Sequence, residues 1–110
     1  MENITRCEEE VFLVIFQLGE KSLLQTILSE VNKKYKHEWR SQTVSTFLSR
    51  LVGKGYLTME RFGRKMCYIP TISLEQYRRM CISKMCRVLF EGDVDEFIKC
   101  MQVMDWSEDK

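Results

Sequence analysis

The chain has 110 residues, 45% of them hydrophobic and 11% aromatic, with a formal net charge of +1. Its length allows one domain, or one domain with an extension, and its apolar content excludes an intrinsically disordered chain. The charge is uneven, because nine lysines and arginines stand against two glutamates between residues 33 and 65, whereas residues 70–110 carry a local charge of −2. A basic middle of this kind favours a polyanionic partner.

Membrane and metal functions find little support in the sequence. No apolar run approaches the roughly 18 residues of a membrane-spanning helix, and the acidic start MENITRCEEE is unlike a signal peptide. We therefore expect a cytoplasmic protein without membrane insertion. The five cysteines lie within apolar patterns and lack any Cys-x-Cys or Cys-x-x-Cys spacing, so we expect buried reduced thiols, with neither a metal site nor a cofactor.

Two amphipathic helices are predicted in the first third of the chain. Thr5 and Glu8 have the spacing of a capping box, apolar residues then recur at helical spacing, and Gly19 ends the first helix. Ser22 and Gln25 are predicted to open a second helix in the same way.

A third helix is predicted over residues 41–54, with Ser41 as its N-cap. The spacing predicts an inward face formed by Val44, Phe47, Leu48 and Leu51. The outer face then carries short polar side chains and one arginine: Gln42, Thr43, Ser45, Thr46, Ser49 and Arg50. Exposed helices usually carry Glu and Lys instead, whereas hydroxyl and amide groups suit hydrogen bonding to base edges and phosphates. A plain exposed helix is the alternative.

Two strands are predicted next, over residues 56–62 and 65–69, around the turn Phe62-Gly63-Arg64. Arg61, Arg64 and Lys65 would gather at the tip of this ribbon, where a phosphate could neutralise them. A helix followed by a β-ribbon is the order of a winged helix-turn-helix. We therefore predict a mainly α fold with a small β-ribbon, comprising a winged-helix DNA-binding domain at 1–70 and a helical dimerisation region at 71–110.

The last two predicted helices have apolar stripes but little core left to join. The first spans residues 74–90, and Asp93 with Glu96 would cap the second. Folding back onto the preceding domain is one alternative, but exposed stripes favour a second copy of the chain. The predicted dimer interface consists of Leu74, Tyr77, Cys81, Met85, Val88, Leu89, Val94, Phe97, Ile98 and Met101.

Sequence patterns in register connect the chain with a known family. Residues 43–55 match the pattern T-V-x-T-x-L-x-R-L-x-x-K-G of a recognition helix, and residues 61–68 match the wing pattern R-x-G-R-x-x-x-Y. With the flanking helices, nearly the whole chain resembles the BlaI/MecI/CopY family of bacterial transcriptional repressors.

The resemblance implies a homodimer that binds a palindromic operator in double-stranded DNA, with each recognition helix in a major groove. It implies that base or phosphate contacts at the start of that helix come from Gln42, Thr43, Ser45 and Thr46. Further along the helix, it implies phosphate contacts by Arg50 and Lys54. In the wing, the contacting residues would be Arg61, Arg64 and Lys65. Serine at position 45, where relatives often carry a larger or basic residue, leaves the base preference open.

The branches of that family differ in how they are released from DNA. In the penicillin-resistance branch, a membrane sensor-protease triggers cleavage in the last helix, which corresponds here to residues 94–101. The start of that helix, DVDE, departs from the expected cleavage segment, so the releasing signal stays open. The copper branch uses paired Cys-x-Cys motifs, which this sequence lacks.

Three other functions are compatible with parts of the sequence to different degrees. An enzyme is disfavoured because the single histidine, His37, lies in a basic loop without a catalytic partner pattern, and we expect it to be solvated. A winged-helix module that binds protein without specific DNA binding is the main alternative to the repressor. A disulfide between Cys81 residues of two copies is a further hypothesis. Within one helix, Cys81 and Cys86 point about 140° apart and cannot bridge.

Overall fold

The computed structural model describes residues 1–19 and 22–108. This part of the chain forms, in order, α1 (Arg6–Leu18), β1 (Ser22–Leu23), α2 (Leu24–Tyr35), α3 (Ser41–Gly53), β2 (Leu57–Phe62), β3 (Lys65–Pro70), α4 (Leu74–Phe90), α5 (Val94–Gln102) and a 3₁₀ turn (Trp106–Glu108). The chain divides into two compact units, Met1–Leu74 and Glu75–Lys110, here called the N-terminal and C-terminal units.

The start of α1 shows the predicted capping box. The Oγ1 atom of Thr5 accepts from the N–H of Glu8 at 3.2 Å, and the N–H of Thr5 donates to Oε1 of Glu8 at 2.9 Å. These bonds satisfy two backbone N–H donors that the start of a helix leaves without partners in the helix. Gly19 follows the helix at φ 96°, a conformation that glycine adopts without strain.

Helices α1, α2 and α3 pack together with the sheet around one core. Its helical side chains are fully inaccessible to solvent: Val11, Phe12, Val14, Ile15, Ile27, Val31, Val44, Leu48 and Leu51. Burial of a large apolar side chain contributes roughly 1.5–3 kcal/mol relative to exposure, so this set dominates the stability of the N-terminal unit. Of the predicted inward face of the third helix, Val44, Leu48 and Leu51 are buried as expected, whereas Phe47 is only half-buried.

The predicted ribbon is part of a three-stranded antiparallel sheet with strand order β1-β3-β2. Strands β2 and β3 pair from Leu57 opposite Pro70 to Phe62 opposite Lys65. Strand β1, which the sequence analysis missed, pairs Ser22 with Tyr68 and Leu23 with Cys67 on the other side of β3. The fold is thus a winged helix, mainly α with a small sheet, as predicted.

Two predicted helix caps are wrong. Ser22 belongs to β1 and donates its hydroxyl to the carbonyl of Gly19 at 3.3 Å, and α2 begins two residues later without a side-chain cap. Ser41 is the first residue of α3 rather than its cap. Arg40 occupies the cap position, and the hydroxyl of Ser41 instead accepts from Gln25 Nε2 at 3.1 Å. Tertiary pairing has overridden the local capping preference at both serines.

The C-terminal unit consists of α4, α5 and the 3₁₀ turn. Glu91 and Gly92, both at positive φ, reverse the chain between the helices. Asp93 caps α5 by accepting from the N–H of Glu96 at 3.1 Å, which confirms that predicted cap. Phe90 and Phe97 bring their rings to 5.4 Å. Within residues 1–19 and 22–108, helix length and hydropathy never together reach what crossing a bilayer requires.

Candidate nucleic-acid interface

The exposed face of α3 presents a continuous set of hydrogen-bonding groups. Since Val44, Leu48 and Leu51 are buried, the helical period turns the opposite side of α3 outward. An open groove on this face is lined by Gln42, Ser45, Thr46, Ser49 and Arg50. Four of these side chains are short or uncharged donors and acceptors, and the fifth is a guanidinium, a combination that can bond to bases and to phosphates.

The predicted residues of α3 are not all brought together. Gln42, Ser45, Thr46 and Arg50 share the groove, whereas Thr43 is not among the residues that line it. Ser49, absent from the predicted contact set, belongs to the groove; its spacing of four residues from Ser45 was the signal that could have found it.

One hydroxyl on this face is already engaged. Thr46 Oγ1 donates to the carbonyl of Gln42, one turn earlier, at 3.0 Å. That bond fixes the side-chain rotamer, and the oxygen keeps its capacity to accept. Thr46 can therefore accept from an external donor or present its methyl group, but its proton is committed.

The hairpin β2–β3 carries the other basic group. Gly63, at φ 65°, takes the first position of a two-residue loop, which suits the II′ turn that tight hairpins favour. Arg61, Arg64 and Lys65 are all exposed. Arg61 pairs with Met66 and Phe62 with Lys65, so Arg61 and Lys65 project from opposite faces of the ribbon.

An aromatic side chain at the same tip was missed in the sequence analysis. Phe62 is 61% exposed, between Arg61 and Gly63. Its position next to the turn was visible in the sequence, but its exposure follows from the strand register.

Lys54 lies apart from the other candidate residues. Its Nζ atom is 2.7 Å from Oε1 of Glu8, whose side chain is 1% exposed. This ion pair joins the first turn of α1 to the end of α3, so the predicted phosphate contact at Lys54 competes with an internal one. The pairing spans 46 residues and has no local sequence signal.

The pKa of Glu8 reflects this pairing. Burial alone would raise it, but the hydrogen bonds from Lys54 and from the N–H of Thr5, with the positive charges of Lys54 and Arg50, outweigh burial and hold the pKa below its ordinary value. Glu8 is therefore ionised at neutral pH, and its charge is balanced from within the unit.

His37 is not the solvated residue that the sequence predicted. Its Nε2 atom lies 2.6 Å from Oε1 of Glu10, and its ring stacks on Trp39 at 3.8 Å. Two acids of α1 thus contact distant residues: Glu8 contacts Lys54, 46 residues away, and Glu10 contacts His37, 27 residues away. The contacts of His37 hold the loop that precedes α3.

The C-terminal unit exposes a large apolar surface. A groove between α4 and α5 is lined mainly by apolar side chains, among them Ile82, Val94, Phe97, Ile98 and Met101. The last four belong to the predicted dimer interface. Ile82, 51% exposed, was missed because the predicted stripe ran along the neighbouring face of α4.

The remaining predicted interface residues are distributed unevenly on α4. Met85, Val88 and Leu89 are 47%, 65% and 67% exposed. Leu74 and Cys81 are half-buried, and Tyr77 is only 6% exposed within one chain. A second copy could therefore contact the exposed members directly, whereas Tyr77 offers it little surface.

Metal and thiol chemistry gain no support from the described residues. In residues 1–19 and 22–108, no cluster of three or more His, Cys, Asp or Glu side chains could hold a metal ion. The five cysteines, all within those ranges, are free thiols; Cys67 and Cys86 are buried as predicted, Cys7 and Cys81 are half-buried, and the predicted burial of Cys100 is wrong because it lies on an exposed face of α5.

A family profile, a curated relative and several solved structures match this chain. The profile, described as "Penicillinase repressor", matches residues 4–108. An uncharacterised 16.5 kDa protein in the ptsI 3′ region of Latilactobacillus sakei is 32% identical over 72 residues, which are 63% of this chain and 45% of that protein. The chain thus spans about half the length of the curated relative that it matches.

Solved structures of two repressors are also similar. The DNA-binding domain of the repressor BlaI is 30% identical with a TM-score of 0.57, covering 70% of this chain and 94% of that one. Bacillus licheniformis BlaI, in monomeric form with the blaP half-operator, is 30% identical with a TM-score of 0.57, covering 69% and 89%. The CopR repressor is 33% identical with a TM-score of 0.52, covering 66% and 100%.

Proposed function

This chain belongs to the penicillinase repressor family of DNA-binding transcriptional repressors, and we propose that it acts in the cytoplasm as a homodimer on a dyad-symmetric operator. Family membership confirms that the chain is not an enzyme. In this proposal α3 of each protomer enters a major groove, the β2–β3 wing follows the backbone, and the C-terminal unit joins the protomers.

The observation that carries the proposal is the groove on α3. Its side chains combine hydrogen-bonding groups that suit base edges with Arg50, which can bond bidentately to guanine or phosphate. An interface for a protein partner would favour aromatic and apolar side chains at its centre, which this face lacks. The BlaI relative bound to a half-operator supports the same use of this unit.

The wing would supply contacts that do not depend on sequence. Arg61 and Lys65 project from opposite faces of the ribbon, so each can meet a different phosphate when the tip lies over the backbone. Arg64, in the turn, extends the same charge outward. Lys54 is left out of the proposed contact set because its ammonium is held by Glu8.

The C-terminal unit would make the dimer. Val88, Leu89 and Val94 are exposed apolar side chains of this unit, and a second copy of the chain would cover them. Two linked half-site readers gain affinity from effective concentration, so loss of pairing would release the operator. Proteolysis between residues 94 and 101 is one route to that loss, and the inducing signal stays open.

Selection from a randomised duplex library tests the proposal. We expect the purified chain to enrich a sequence with two-fold symmetry and half-sites about one helical turn apart, or a multiple of that distance. Binding to the enriched duplex should weaken steeply as salt rises, with a slope that counts the phosphates neutralised. Failure to enrich any sequence, or binding insensitive to salt, would favour the protein-interaction module instead.

A further inference from the structure

The loop between α2 and α3, residues 36–40, is fastened to α2 at several points, and we call it the strap. Lys36 ends α2 in the left-handed conformation at φ 57°. The carbonyl of Asn32 accepts from the N–H of His37 at 3.1 Å. The side chain of Asn32 also accepts from the N–H of Trp39 at 3.1 Å and donates to the carbonyl of Trp39 at 2.9 Å. One asparagine thus holds both peptide groups of Trp39.

Three aromatic rings in series connect the strap to α3. His37 stacks on Trp39 with ring centroids 3.8 Å apart and planes 12° apart. Trp39 in turn lies against Phe47 of α3 at 5.1 Å. The series is fixed at its outer end, because His37 Nε2 lies 2.6 Å from the Glu10 carboxylate on α1. The strap therefore links α1, α2 and α3 through contacts that leave little freedom for the Trp39 ring.

The first turn of α3 depends directly on the strap. The N–H groups of Thr43 and Val44 donate to the carbonyl of Arg40, at 3.0 and 3.2 Å. Arg40 follows Trp39 in the chain, so the position of Trp39 sets where this carbonyl lies. Phe47 sits in the two turns that also carry Gln42 and Thr46 on the outer face. Contact with the Trp39 ring therefore fixes the rotation of that face about the helix axis.

We propose that Glu10, Asn32, His37, Trp39 and Phe47 form a positioning cluster that sets the sequence selectivity of α3 without touching DNA. The inference rests on the proposed function, because it specifies what holds the reading face. Base readout by side chains requires placement within about 0.5 Å and 10–20°, whereas phosphate attraction tolerates larger errors. Loosening the cluster should therefore weaken binding to the preferred sequence and spare binding to unrelated sequence.

The test compares two duplexes of equal length, the enriched duplex and one of scrambled sequence. Trp39→Leu should weaken binding to the enriched duplex by about 10-fold, the effect of losing one base contact, and binding to the scrambled duplex by less than about 2-fold. Trp39→Phe, which keeps a ring against Phe47, should recover most of the selectivity. His37→Leu should lower it by a smaller factor, because the Trp39–Phe47 contact survives.

Phe16→Leu is the matched control, because it removes a half-buried ring whose described ring contact is Phe12 of its own helix, at 5.0 Å. It should reduce stability and keep the ratio of the two affinities. Equal losses on both duplexes in Trp39→Leu, or the same loss of selectivity in Phe16→Leu, would overturn the inference. If Trp39→Leu does not fold, His37→Leu decides, and an unchanged ratio in that variant overturns it.

A measurement without DNA separates this inference from the proposed function. Amide hydrogen exchange at Thr43 and Val44 should be faster in folded Trp39→Leu than in the wild type, since their acceptor at Arg40 is no longer held. Exchange in α1 should change less. Unchanged exchange at both amides contradicts the positioning role, whereas a wild-type chain that enriches no duplex contradicts only the proposed function.

Discussion

The two units of this chain have similar helical patterns of apolar residues but bury them to different extents. In the N-terminal unit, Phe12 and Leu48 are fully buried by other parts of the same chain. In the C-terminal unit, Val88, Leu89 and Val94 are more than half exposed. Both patterns are amphipathic, so periodicity alone does not distinguish an apolar stripe that is buried within the chain from one that is exposed. The difference lies in how many other elements are available to cover the stripe.

The largest expected difference in stability is between two leucine-to-alanine variants, one in each unit. Leu48→Ala should lower the free energy of unfolding by about 2–5 kcal/mol, because it leaves a cavity in a closed core. Leu89→Ala, at a position 67% exposed, should cost well below 1 kcal/mol at low protein concentration. Urea unfolding of both variants at several concentrations measures the contrast. A cost at Leu89 that grows with concentration would show that its partner is a second chain.

The second prediction concerns the pairing itself. Leu89→Asp should make the protein monomeric and weaken binding to the enriched duplex by about 100-fold, through lost effective concentration, while the N-terminal unit stays folded. Sedimentation and circular dichroism check the two parts. A persistent dimer in Leu89→Asp would contradict the proposed interface.

A smaller effect is expected at the Glu8–Lys54 ion pair. Lys54→Met leaves the Glu8 carboxylate buried without its partner, which should cost about 1.5–3 kcal/mol at neutral pH. Lys99→Met, which breaks an exposed pair with Glu96, should cost less than about 1 kcal/mol. Urea midpoints of both variants measure the difference, and equal costs would contradict a structural role for Lys54.

The same pair predicts a pH dependence with a definite sign. The pKa of Glu8 is lower in the folded protein than its ordinary value of 4.5, so its stabilisation is complete above pH 4.5 and is lost as the pH falls through the folded-state pKa. The advantage of the wild type over Glu8→Gln should therefore shrink on acidification below pH 4.5. An advantage that grows there would contradict the lowered pKa.

The smallest effect is expected at the wing. Arg64→Ala should weaken binding to enriched and scrambled duplexes by the same few-fold factor and reduce the salt slope by about 1 for each protomer. Arg78→Ala, an exposed arginine of the C-terminal unit next to Glu75, should leave both quantities unchanged. Salt titrations of the two variants make the comparison. A change at Arg78 equal to that at Arg64 would mean that DNA contact is not confined to the N-terminal unit.

Sequence patterns predicted most of the fold because its elements are locally encoded. The helical faces, the hairpin and the caps at Thr5 and Asp93 all follow from spacings of a few residues. Strand β1 was missed because two residues carry no period, and its pairing with β3 joins residues that are 46 and 44 positions apart, Ser22 with Tyr68 and Leu23 with Cys67. The predicted serine caps are wrong for two reasons. Ser22 lies in strand β1, and the hydroxyl of Ser41 bonds to Gln25, which is distant in the sequence.

The candidate site was predictable where it is one helix face and less so where it depends on distant pairs. Gln42, Ser45, Thr46 and Arg50 lie together because helical spacing places them so. The ion pair of Lys54 and the contact between His37 and Glu10 join positions far apart in the chain. Charge patterns in the sequence cannot indicate which acid a lysine contacts. Only the three-dimensional structure distinguishes a lysine that can bind phosphate from one that, like Lys54, forms an ion pair within the chain.

The short strand β1 has a mechanical consequence for the wing. Within the described residues, β1 pairs with β3 at Cys67 and Tyr68, and the pairs Arg61–Met66 and Phe62–Lys65 extend beyond the three-stranded part as a two-stranded ribbon. Two-stranded ribbons twist more readily than wider sheets. All three basic residues of the wing lie on this two-stranded extension, about two residues or 7 Å beyond the pairing of β1 with β3. We therefore expect the tip of the wing to bend more easily than its base.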